Sequence, residues 1–156
     1  MAGTPTTVTR ILNRLSGDAT FSGLLPGGIY TRPLKREGVG NTPNAFAPTF
    51  PYQPRAAAVV VDGTDEQTAF GPDGSFTSFP WVYLYAEPHD NGKATIANAW
   101  DQLFSLLHGW HFATGNGTDC EVRVIGRLAV MDDPDATDRV MGGMRLQVTG
   151  LWRRTG

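Results

Sequence analysis

Apolar positions recur along this chain in two rhythms, and together they mark out most of its elements. Val8, Ile11, Leu12 and Leu15 fall at helical spacing and define one stripe, with Thr4 as a cap, Pro5 in the first turn and Gly17 as the stop. Phe21, Leu24 and Leu25 add a short turn beside it. After Gly27-Gly28, the run Ile29 to Arg32 reads as a short strand that Pro33 ends. Ala56 to Val61 is an unbroken apolar run that suits a buried strand, and Trp81 to Ala86 is an aromatic and β-branched strand bounded by prolines. Ile96, Trp100, Leu103, Phe104 and Leu107 return to helical spacing, entered through His89-Asp90-Asn91 and closed by Gly109.

The last third alternates. From Cys120 to Met131, Val122, Val124, Leu128 and Val130 lie on one parity, with Arg123 and Arg127 on the other. Asp132-Asp133-Pro134-Asp135 turns the chain. Met144, Leu146, Val148, Gly150 and Trp152 then alternate with Arg145, Gln147, Thr149, Leu151 and Arg153, and these two strands are expected to pair as a hairpin. The order is α-β-β-β-α-β-β. It predicts a single α+β domain over residues 1–156, with a mostly antiparallel sheet of four to five strands and two helices on one face.

Glycine and proline number 19 and 11, and they cluster so as to predict long loops at about 34–54, 62–80 and 109–119, the second being a loop or an irregular hairpin. The sheet face away from the helices must meet water or a partner. Charged residues are 18% of the chain, below the usual share, which fits surface covered by a partner. A net charge of −2 argues against general nucleic-acid binding. The N-terminal sequence lacks a basic-then-apolar secretory pattern and no apolar run reaches membrane-spanning length, so a cytoplasmic product is expected.

Candidate chemistry is sparse. His89-Asp90 could orient a general base, but no nucleophile accompanies it, and a polar helix start explains the pair. His108 and His111 are three apart, yet Gly109 between them ends the helix that would align them on a metal. Asp132, Asp133, Asp135 and Asp138 lack the glycine and closing glutamate of a calcium loop and suit a solvated hairpin tip. Cys120 is the only cysteine and cannot form an internal disulfide, which fits a reducing compartment. Arg32, Lys35 and Arg36 form one basic cluster and Arg153 and Arg154 another; facing a channel, they would contact phosphates without reading sequence. No catalytic residue, metal ligand or cofactor is assigned.

Gly28-Ile29-Tyr30-Thr31-Arg32-Pro33, then Phe50-Pro51-Tyr52 ahead of the valine strand, an aromatic strand, a long amphipathic helix and a final hairpin resemble the tail terminator or tail completion (neck) proteins of long-tailed bacteriophages. The resemblance runs from about Val8 to Trp152, with long insertions at 37–54 and 62–80. It implies a non-enzymatic virion protein, assembled in the host cytoplasm. Its copies would form a hexameric ring that ends tail-tube growth, contacts tail tube and head-connector proteins, and lets DNA pass. The insertions keep a head-completion adaptor open as the alternative, with a small loop-based hydrolase or ligand-binding module behind it. Tyr30, Arg32, Pro33, Lys35, Arg36, Phe46, Phe50 and Tyr52 are the expected subunit interface, and Arg153 and Arg154 the expected channel-facing cations.

Overall fold

Among the described residues three helices cover one face of a single sheet, and the apolar stripes read from the sequence are what they bury. The computed structural model describes residues 4–31, 56–61, 69–70, 75–87, 92–113, 118–132 and 139–152. Helix α1 (Thr4–Ser16) buries Val8, Ile11 and Leu15. The expected short turn is a helix of its own, α2 (Ala19–Leu24), because the Asp18 carboxylate accepts the Phe21 N–H at 2.8 Å and caps it. Helix α3 (Gly92–Leu107) buries Ile96, Ala99, Trp100, Leu103 and Leu107. Gly109 follows it at φ +80°, the left-handed conformation that closes helices and that glycine adopts without strain.

Polar contacts tie the helices together. Gln102 Nε2 donates to the same Asp18 oxygen at 3.0 Å, and Arg14 Nε donates to the Leu106 carbonyl at 3.1 Å while its guanidinium lies over the Trp110 ring. No helix among the described residues is long and apolar enough to cross a membrane.

The strands are β1 (Ile29–Tyr30), β2 (Ala56–Val61), β3 (Ala69–Phe70), β4 (Ser75–Ser78), β5 (Trp81–Ala86), β6 (His111–Ala113), β7 (Thr118–Asp132) and β8 (Val140–Trp152). All pairings are antiparallel except β1 with β2. The α+β class and the antiparallel character are as expected. The strand count is larger: four to five were expected and eight are present among the described residues. The additional three are short: β3 and β4 pair antiparallel within 62–80, the hairpin that was one of the two readings of that stretch, and β6 lies within the loop expected at 109–119. The 34–54 stretch lies outside the described residues.

Strand β8 organises the sheet. One of its edges carries β7, and the other carries first β5 and then β4. The β4 and β5 pairings share one register, from Ser75 opposite Leu151 to Ala86 opposite Val140. They are therefore one line of chain interrupted at Phe79-Pro80, where the Leu146 N–H still donates to the Pro80 carbonyl at 2.9 Å. Proline has no N–H of its own to give the ladder, so the strand breaks there while the register survives.

Alternation decides the faces. Val82, Leu84 and Ala86 of β5, Ala56, Ala58 and Val60 of β2, and Met144, Leu146 and Val148 of β8 join the helices in the main core. On the opposite face Ala57 and Val59 are buried against Tyr30, Val61 and Tyr85. Gly142 belongs to the helix side: a Cβ there would come within 3.0 Å of both Ile96 Cγ2 and Trp100 Cζ2, so α3 rests directly on the β8 backbone.

The hairpin of β7 and β8 forms as expected, but the β7 parity changes partway. Register shifts fall between Val124 and Gly126 and between Leu128 and Met131. Val122 and Val124 oppose the core residues Val148 and Leu146; beyond the first shift Arg127 opposes core Met144, and Leu128 opposes Gly143. Arg127, expected on the far side from the valines, thus reaches the helix side, with its guanidinium 4.4 Å from the Trp100 ring centroid.

Candidate assembly surface

The end of α3 and the outer edge of β7 meet at His108. Strand β6 and the residues before it follow that edge. Val122 N–H donates to the Trp110 carbonyl and Gly109 N–H to the Val122 carbonyl, each at 2.8 Å. The next edge donor, Val124 N–H, is taken by His108 Nδ1 at 3.1 Å. Beyond that point no strand pairs with the outer edge of β7 among the described residues.

Apolar side chains border this junction. Phe104 stacks on His108, with ring centroids 4.5 Å apart, and is 47% exposed. Ile125, which follows Val124 at the first register shift, is 43% exposed; Met131, 46% exposed, lies farther along β7 at the second shift, away from this junction. Helical spacing assigned Phe104 to the buried stripe of α3. It falls beside Leu103, which is buried, and therefore on the flank of that stripe.

A second feature lies on the sheet face away from the helices, where His111, Asp119, Glu121, Arg123, Gln147 and Thr149 line a shallow depression of about 550 Å³. Arg123 Nε donates to Glu121 Oε1 at 2.6 Å, and His111 Nε2 lies 3.5 Å from Glu121 Oε2. The hydrogen bond from Arg123 holds the Glu121 carboxyl below its ordinary range. These charges answer one another across an open surface.

The two histidines considered as a metal pair have separate partners, His108 on the Val124 amide and His111 on Glu121. Among the described residues no group of three or more His, Cys, Asp or Glu side chains is placed to hold a metal. Cys120 is buried, and burial pushes its thiol up to about 11, so it is a protonated packing residue at neutral pH.

Tyr30 belongs to the small second-face cluster, and its hydroxyl donates to the Gly27 carbonyl. Arg32, Pro33, Lys35, Arg36, Phe46, Phe50, Tyr52, Arg153 and Arg154 lie outside the described residues, as do His89, Asp90, Asp133, Asp135 and Asp138.

No family model matches the chain, and neither does any curated protein. Several solved structures match, and one of them shares the fold with a TM-score of 0.52 at 13% identity, over 94% of this chain and 98% of the other. A likeness at that identity concerns the fold alone.

Proposed function

We propose that this chain is a structural virion protein whose copies form a ring at the head-proximal end of a phage tail, ending tail-tube growth and joining the tail to the head connector. The motif and element order that resemble tail terminator proteins motivate this reading. The observation that carries it is the Phe104–His108–Ile125 border, where large apolar groups stay outside a core that is already closed. Exposed apolar groups at a helix–strand junction suit burial against another protein. A ring is built from head-to-tail contacts, in which such a patch meets a different patch on the next copy.

The test is native mass spectrometry of the purified chain, with and without polymerised tail tube protein, followed by imaging of the tube ends. A closed ring, free or seated on tube ends, is expected. A chain that stays monomeric at high concentration and ignores tube ends would refute the proposal. Binding to a head connector but not to tube ends would move the chain to the adaptor role.

A further inference from the structure

Along the part of the β7 edge that no strand pairs with among the described residues, the irregularity in the strand sets which side chains share a face. On β8, the Leu146 N–H points to the β4–β5 side, so by alternation Met144 and Val140 turn their backbone groups that way too. Their β7 partners, Arg127 and Asp132, therefore turn their own N–H and C=O groups outward, to the edge with no strand partner among the described residues. Both side chains are exposed, and both lie on the helix side because they oppose the core residues Met144 and Val140.

Arg127 and Asp132 are five apart, a spacing that would put them on opposite faces of a regular strand. The register shift between Leu128 and Met131 restores them to the same face. It also leaves Leu128 and Met131 together on the other face, opposite Gly143 and Met141.

We infer that a second copy of this chain pairs with this edge, antiparallel about a two-fold axis between Ala129 and Val130. In that register Arg127 of each copy meets Asp132 of the other, and Leu128 meets Met131. Each opposed pair shares a face, as strand pairing requires, and the charge pair occurs twice. A bulge ordinarily protects an edge, because an incoming strand cannot match it. A second copy carries the same bulge and matches it under two-fold symmetry, so the device that excludes other strands admits this one. The contact is isologous and independent of the head-to-tail contacts of a ring.

Sedimentation velocity of the full chain over a concentration series, at low and high salt, tests this. Association in steps of two copies is expected, weakened by salt because the paired charges lie at the surface. Asp132→Lys should weaken that association about tenfold or more, and Arg127→Glu likewise. The double variant Arg127→Glu with Asp132→Lys should restore it. Arg127 also covers Trp100, so its single variant can loosen α3; Asp132→Lys, checked by circular dichroism, keeps the test decisive. A monomer at millimolar concentration, an oligomer indifferent to Asp132→Lys, or a charge swap that folds as the wild type by circular dichroism yet fails to restore association would overturn the inference.

Discussion

His108 Nδ1 accepts the Val124 N–H at 3.1 Å, so an imidazole from the end of α3 stands where the next residue of a neighbouring strand would otherwise sit. The ring therefore carries its proton on Nε2, since Nδ1 serves as an acceptor. Nitrogen-correlated NMR of the side chain should report that tautomer. Replacing His108 by Ala should cost about 0.5–1.5 kcal/mol in urea unfolding, the usual worth of one hydrogen bond. Faster amide exchange at Val124 should accompany that loss.

Phe104 should separate folding from assembly. Its ring stacks on His108 and is half exposed, so Phe104→Gln should cost about 1 kcal/mol, well below the roughly 3–5 kcal/mol of a Phe truncated in a core. Ring formation on tube ends should be lost. Parallel thermal melts and mass measurements would check both halves, and a large loss of stability would reassign Phe104 to packing.

Gly92 opens α3 under a constraint of space. A Cβ there would lie 1.8 Å from the Glu87 carbonyl oxygen, and that obstacle is backbone, which cannot swing aside as a side chain can. Gly92→Ala should cost at least ~3 kcal/mol, beyond ordinary overpacking. Gly142→Ala, which meets side-chain atoms of Ile96 and Trp100, should cost less, about 1–3 kcal/mol. Denaturant midpoints for the two variants would give the ranking.

Cys120 predicts a pH dependence with a defined sign. Burial raises its thiol from 9.0 to about 11 in the fold, so the native state holds this proton more tightly than the unfolded chain. The resulting stabilisation is complete below about pH 9 and is lost as pH rises from 9 toward 11. The stability difference between wild type and Cys120→Ala should shrink across that window. At neutral pH the native thiol should react slowly with disulfide reagents and quickly once urea is added.

Where side-chain periodicity alone determines an element, the sequence was readable. The alternation of Trp81 to Ala86 places Val82, Leu84 and Ala86 inward, and the stripe Val8, Ile11, Leu15 does the same for α1. Strand β4 was readable only as part of a loop or irregular hairpin, because Ser75 to Ser78 follows the turn signal Gly71-Pro72-Asp73-Gly74 and runs into Pro80. Only its pairing with β8 reveals it as the continuation of β5.

The β7 bulges leave no residue-level trace, so parity counted through Arg127 and Leu128 gave the wrong faces. The candidate surface was unreadable for a related reason. An open edge is defined by what fails to pair with it, and His108 reaches Val124 through tertiary approach of α3, which no local spacing encodes.

The place of β8 has a kinetic consequence. It is the last described strand in the chain, yet it is the direct neighbour of β4, β5 and β7. During synthesis those three strands emerge before the segment that unites them. Most of the sheet must then close late and over long sequence separations, a topology that folds slowly. Until β8 arrives, the earlier strands expose borders prone to aggregation, which makes the nascent chain a natural client for chaperones.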